Sequence, residues 1–206
     1  LKNLILLLKS FRLLNVFSML LLLVGLKVFN YHSFVQGGNY VFLRSTTAFI
    51  FFLMTVGLIS IAGYLVNDIV DVEVDKINRP NKRLAFSKNI LWGIYIFLNV
   101  LAIAFSIFIA NSAVTFLILM AAIVLLFWYS MILQKLPLVG NLVVALLAGV
   151  LPLLYDKFDL VLCVEKGIDL LSGFKYSLTI PIYGGLGFIV TFSREIVKDM
   201  EDVVGD

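Results

Sequence analysis

Long apolar runs recur along this chain, and a chain built of them has few folds open to it. They lie at roughly 12–30, 45–66, 89–110, 112–133, 139–155 and 176–194. Each is near the ~20 residues that a helix needs to cross the hydrocarbon core of a bilayer. In lipid every backbone N–H and C=O must be satisfied within the protein, so the six runs predict an all-α, polytopic transmembrane helix bundle in one domain. Composition agrees. Of 206 residues, 62% are hydrophobic and 14% charged, against about a quarter charged in a soluble domain. The first run has no small-residue cleavage site behind it and is followed by further spans, so it does not read as a signal peptide. Cys163 and His32 are each the sole residue of their type. That excludes an intrachain disulfide and gives zinc or haem ligation no support. Nothing in the pattern points to nucleic acid.

The connections orient the bundle. Ala110 to Ser112 reads as a tight hairpin, and Gln134 to Leu138, with Pro137, as a short turn. Asp156 to Lys175 is longer and mixed in charge, and reads as a surface loop or an interfacial helix. Six spans place the N-terminus, the 67–88 loop, the 134–138 turn and the C-terminal tail on one side. Eleven of the sixteen Lys and Arg residues fall there, which predicts that this side is cytoplasmic. Nine of the thirteen acids gather on the same side, in two clusters. Acids contribute little to topology, so the clusters call for a chemical reason.

Laid together without gaps, "NDIVDVEVD" (67–75) and "KDMEDVVGD" (198–206) superpose their aspartates: Asp68 on Asp199, Asp71 on Asp202, Asp75 on Asp206. The spacing i, i+3, i+7 confines three carboxylates to an arc of roughly 60° on a helix. Each cluster ends an apolar span running toward the same side, so the two are expected to face each other across a cavity. Burying one ionised carboxylate beside hydrocarbon costs several kcal/mol. A hard divalent cation reverses that penalty. Mg²⁺ binds through a few carboxylates, waters and substrate phosphates, which makes all six aspartates candidate ligands. Arg79, Lys82, Arg83, Lys135, Arg194 and Lys198 lie close to the clusters or in a turn on the same side, as a metal-bridged diphosphate would require. Glu73 falls off the common face and reads as solvated, whereas Glu195, four residues before Asp199, can join the second cluster. Asn67 suits either a metal or a hydrogen bond to a neighbouring helix. A solvated acidic loop would explain one cluster, but the repeated spacing at the ends of two spans weighs against it.

These residues carry a resemblance. "NDIVDVEVDKINRP" resembles the first aspartate signature of the UbiA-type intramembrane prenyltransferases, through Asn67, Asp68, Asp71, Asp75, Asn78 and Pro80. "REIVKDMEDVVGD" resembles their second motif. "YSMILQKLPLVGNLVVALLAG" (129–149) resembles the stretch between, through Tyr129, Ser130, Lys135, Gly140 and Asn141, and "RLLN" fits through Arg12 and Asn15. Lys82-Arg83-Leu84 departs from the Arg-Pro that many members carry there. The resemblance implies a bundle of about nine helices. The chain begins at Leu1 and ends at Asp206, within the second motif, so about three helices are expected beyond it.

The resemblance further implies Mg²⁺-dependent transfer of a prenyl group from a prenyl diphosphate to a lipid or aromatic acceptor within the membrane. Asp71, Asp202, Tyr129 and Lys135 are then the expected catalytic groups. Arg12, Asn15, Asn67, Arg79, Arg83, Asn141, Arg194 and Lys198 are the expected substrate contacts. Lys135 also suits a snorkelling, topology-setting role. Tyr64, Tyr129, Tyr183, Phe188 and Phe192 are aromatic faces near the relevant span ends, available for packing or for an allylic cation. Gly140, Gly149, Gly184, Gly185 and Gly187 are expected to allow close helix packing, and Pro152 and Pro181 to kink spans or mark their ends. The tail most resembles the branch whose acceptor is geranylgeranylglyceryl phosphate and whose donor is geranylgeranyl diphosphate. An aromatic quinone precursor (4-hydroxybenzoate or dihydroxynaphthoate) is the alternative acceptor. A cation transporter is the non-enzymatic rival, although it has no need of Asn-x-Pro or of a basic cluster beside its acids. A head-group phosphotransferase is excluded because no Asp-Gly precedes the first cluster.

Overall fold

A computed structural model describes residues 2–36, 46–78, 84–109, 113–136, 138–165 and 179–202. Among these the chain is helical, without strands. The helices are α1 (Lys2–Ser10), α2 (Leu13–Gln36), α3 (Thr46–Val70), α4 (Val72–Asn78), α5 (Lys88–Ile109), α6 (Ala113–Met131), α7 (Val139–Glu165) and α8 (Thr179–Asp202). A 3₁₀ turn, Leu133–Lys135, joins α6 to α7. Each of the six runs read from the sequence contains an α-helix among the described residues.

By length and composition, Thr47–Val70 and Lys88–Ile109 suffice to cross a membrane, and Asn3–Ser10 with Leu13–Val28 passes the same test as a pair bent by 45°, the form of a broken span or a re-entrant loop. Phe116–Met131 and Val139–Leu154 are apolar but shorter. The exposed faces are themselves apolar. Phe97, Val100, Ile107 and Phe108 of α5 and Ile182, Leu186, Ile189 and Val190 of α8 all point outward. Contiguous greasy surface of this kind suits lipid rather than water. The protein is an integral membrane protein with an all-α transmembrane bundle.

Helix α3 is the hub. It packs most extensively on α5, and also on α2 and α6, while α7 pairs with α8. Leu23 and Leu26 of α2, Phe52 and Val56 of α3, Ala102 of α5 and Leu119 of α6 share one core cluster. A second, smaller core of Leu65, Ile69 and Leu91 sits near the acid-bearing end of α3, with Leu7, Phe11 and Trp92 packed on it.

Ahead of the first run, Lys2–Ser10 form a further helix, α1, whose Leu7 packs into the second core. Two sequence expectations are refined. The connection expected over Asp156 to Lys175 is helical as far as Glu165, because α7 simply continues; residues 166–178 lie outside the described residues. Gly185 does not serve close packing, since a Cβ built there meets nothing within 4 Å.

Its neighbour Gly184 does serve close packing. A Cβ at Gly184 would lie 2.7 Å from the carbonyl oxygen of Gly149, and one at Gly149 would lie 3.0 Å from the carbonyl oxygen of Gly184. The α7 and α8 backbones therefore touch, as small-residue contacts between membrane helices allow. Gly184→Val is expected to destabilise the protein by about 1–3 kcal/mol through overpacking. Gly185→Val on the adjoining, open face should change stability by less than about 0.5 kcal/mol. Thermal unfolding in detergent compares the two.

Candidate active site

The apolar stretch that makes α3 ends in its acids without leaving the helical path. Asp71 is a turn residue between α3 and α4, yet its N–H donates to Asn67 O at 2.9 Å and the Asp75 N–H donates to Asp71 O at 2.7 Å. The i to i+4 pattern thus runs through the junction and keeps the acids on successive turns.

Asp68 is only 3% exposed. Its Oδ1 lies 3.9 Å from Nη2 of Arg12, and the Arg12 guanidinium stands 5.0 Å over the ring of Tyr64. Tyr64 and Asp68 are one helical turn apart on α3, so the cation meets both from one side. Arg12 is aimed there by its backbone, which adopts φ 47 at the bend between α1 and α2. A left-handed conformation in a residue other than glycine carries strain and marks a position held by its surroundings.

Asp71 is held differently. Asn67 Nδ2 donates to its Oδ2 at 2.5 Å, and Gln134 Nε2 donates to its Oδ1 at 2.6 Å. Gln134 Nε2 also donates to Ser130 O at 2.8 Å. Both neighbours of that nitrogen are pure acceptors, which fixes which end of the amide faces Asp71. Both oxygens of Asp71 therefore accept from neutral amides, one from its own helix and one from the turn after α6. Asp75 is half-buried and Glu73 exposed.

Gln134 was not among the sequence-predicted site residues. An uncharged amide in a turn gave no sign beyond its place one turn after Ser130 and beside Lys135 in the matched stretch. Lys135 is exposed in the 3₁₀ turn, Tyr129 is half-buried, and Asn141 is 6% exposed. A Cβ on Gly140 would lie 2.9 Å from both Gln134 Cα and Leu133 O, and 3.2 Å from the Tyr129 ring. Here glycine is required for the start of α7 to close onto the 3₁₀ turn.

Other expected residues are not gathered there. Asn15 is exposed, and with Lys9 and Leu14 it borders a groove of about 440 Å³ outside the α1–α2 bend. Arg12 borders that groove as well as reaching Asp68. On α8, Glu195 is 5% exposed and ion-pairs with Arg194, while the rings of Phe188 and Phe192 stack with centroids 5.9 Å apart. The side chains of Lys198, Asp199 and Asp202, and all of Arg79, Lys82, Arg83 and Asp206, lie outside the described residues. Among the described residues, no three His, Cys, Asp or Glu side chains come together closely enough to hold a metal ion by themselves.

A polytopic helical bundle with amide-held and ion-paired aspartates at the end of one apolar helix defines a membrane protein with a polar site at the end of its spans. Residues 34–206 match the UbiA prenyltransferase family, and the chain belongs to that family. A digeranylgeranylglyceryl phosphate synthase of Thermococcus sibiricus is 37% identical over 147 residues, covering 70% of this chain and 47% of the relative. One of Sulfolobus acidocaldarius is 36% identical over 168 residues, covering 79% and 54%. One of Methanoculleus marisnigri is 34% identical over 153 residues, covering 73% and 50%. The chain spans about half the length of these curated relatives. A solved structure described as "Structural and mechanistic insights into the biosynthesis of Digeranylgeranylglyceryl phosphate synthase in membranes" matches 100% of this chain and 65% of its own, with TM-score 0.66 and 20% identity. That likeness is one of fold.

Proposed function

We propose that this protein is a Mg²⁺-dependent prenyltransferase that moves a geranylgeranyl group from its diphosphate to geranylgeranylglyceryl phosphate. The observation that carries the reading is Asp71, a carboxylate at the end of an apolar helix whose two oxygens accept from neutral amides. Amide donors orient a carboxylate without bringing positive charge of their own. Its oxygens are the hard donors that Mg²⁺ prefers. The curated relatives' names support the choice of donor and acceptor. The acids lie at the end of α3 rather than at mid-helix, which weighs against a transporter.

Asp71 and Asp75 of the first cluster, with Asp199, Asp202 and Asp206 of the second, would hold Mg²⁺ through their carboxylates. Asp68 is turned onto Arg12, so its share in metal binding is smaller than its spacing alone suggests. When bound, Mg²⁺ supplies positive charge to the diphosphate oxygens as the carbon–oxygen bond breaks. Lys135, Arg79, Arg83, Arg194 and Lys198 balance the charge of the departing pyrophosphate, which leaves with the bonding electron pair. Tyr129 lies beside the allylic carbon, where a ring face favours developing positive charge. The acceptor hydroxyl forms the new carbon–oxygen bond and releases its proton. Arg12, Asn67 and Asn141 position the substrates, whereas Asn15, exposed at the α1–α2 bend, does so only for a substrate that reaches the groove there. The site faces the cytoplasm, following the distribution of Lys and Arg, and the organisms of the curated relatives support the cytoplasmic membrane of a prokaryote.

The test uses full-length protein in lipid vesicles with labelled geranylgeranyl diphosphate and Mg²⁺. Geranylgeranylglyceryl phosphate is offered beside 4-hydroxybenzoate and dihydroxynaphthoate. Label is expected in the glyceryl lipid and to vanish with chelator. Transfer to an aromatic acceptor instead would overturn the acceptor, and no transfer to any of them would overturn the activity.

A further inference from the structure

We infer that Gln134 is a positioning residue for Asp71, fixing that carboxylate in the orientation in which it meets a divalent cation and diphosphate. The inference rests on the prenyltransferase reading for the identity of the ligand, but its geometry stands apart from it. The bond from Gln134 Nε2 to Asp71 Oδ1 spans 2.6 Å and joins residues 63 apart in sequence. It ties the turn between α6 and α7 to the end of α3.

Three features make this contact a built one. The two hydrogens of the Gln134 amide are both used, one on Asp71 and one on the carbonyl of the fully buried Ser130, so the nitrogen is anchored to the end of α6. Asn67 grips the other carboxylate oxygen, and with both oxygens held the carboxyl plane cannot rotate. The backbone beneath Gln134 is fixed in turn. Leu138 adopts φ 65, which lets the chain fold back, and Gly140 then packs where any Cβ would strike Gln134 Cα.

The contrast with Asp68 gives the arrangement its chemical sense. Asp68 sits by a guanidinium, so its charge is balanced from within the protein. Asp71 is instead gripped on each oxygen by a directional amide donor, which sets the plane of its carboxylate. Partners that orient a metal ligand typically change metal affinity by about 10- to 100-fold when removed. Gln134 is therefore expected to act on affinity for metal and diphosphate more than on the chemical step.

The experiment compares wild type with Gln134→Met, which keeps length and loses the donors, and with Gly140→Ala, which displaces the turn while keeping the amide. Binding of Mn²⁺ in the presence of inorganic pyrophosphate is followed by electron paramagnetic resonance, and transfer is followed against Mg²⁺ concentration. Both variants are expected to bind Mn²⁺ about 10-fold more weakly and to need about 10-fold more Mg²⁺ for half-maximal rate, with kcat recovered at saturating Mg²⁺. General damage to the fold would lower kcat at every Mg²⁺ concentration. Mn²⁺ affinity within about twofold of wild type in Gln134→Met, or a wild type that binds no Mn²⁺ with pyrophosphate, would overturn the inference. Weakened Mn²⁺ binding alongside a wild type that transfers to no acceptor would leave Gln134 in its role and remove the prenyltransferase reading.

Discussion

Asp71→Asn lowers kcat/KM of the full-length protein by about 100-fold or more, the upper end of what is lost even when a residue behind a metal ligand is removed. The substitution conserves size, so the effect is electrostatic and geometric. Asparagine carries no charge to attract a cation, and it offers one acceptor oxygen where Asn67 and Gln134 both donate. One of those amides then faces another N–H donor. The half-saturating Mg²⁺ concentration should rise with the loss of rate, and the thermal midpoint should fall only slightly. Glu73→Gln, two residues away and exposed, should stay within about twofold of wild type, as surface changes usually do. Steady-state transfer assays at several Mg²⁺ concentrations separate the two variants.

Arg12→Ala should act chiefly on stability. Asp68 is 4% exposed at its side chain and Arg12 28%, with 3.9 Å between the charged atoms. Removing one partner of a buried ion pair commonly costs about 3–5 kcal/mol, because the other charge loses its counterion in a poorly solvated place. Arg12 keeps some contact with solvent, so about 2 kcal/mol is the expected loss here. Neutralising the stranded partner should recover most of it, so the double variant Arg12→Ala with Asp68→Asn is expected to unfold near the wild-type temperature. Arg12→Gly should sit above Arg12→Ala, since glycine adopts φ 47 without strain. Thermal unfolding of the four proteins in detergent reads all of this. Equal stability of Arg12→Ala and wild type would show that the pair adds nothing.

Hydropathy and helical spacing reached the helices and the acids. Long apolar runs admit little besides spanning helices, and the spacing of Asp68, Asp71 and Asp75 placed them on successive turns before any contact was known. What escaped depends on contacts between distant parts of the chain. The α1 segment, "KNLILLLKS", is short and lysine-flanked and lies ahead of the first long apolar run, so only the packing of Leu7 beside Leu65 and Ile69 brings it into the bundle. Gln134 carries no charge and belongs to a turn, and no periodicity predicts a bond to a residue 63 positions away. Arg12 reads as a substrate contact because its left-handed backbone, which turns it toward Asp68 and Tyr64, has no signature in a non-glycine residue. Gly184 and Gly185 are indistinguishable as letters, yet one touches the Gly149 backbone and the other faces open space.

The pairing of "NDIVDVEVD" with "KDMEDVVGD" is the centre of this account: two acid clusters closing on one diphosphate. A structure of the full-length protein with Mn²⁺ and a non-hydrolysable geranylgeranyl diphosphate analogue, with metal located by anomalous scattering, tests it directly. The account predicts metal between the carboxylates of Asp71 and Asp75 on one side and Asp199 and Asp202 on the other, with diphosphate oxygens completing the coordination. Carboxylates of the two clusters more than about 12–15 Å apart, with metal on one of them alone, would contradict it.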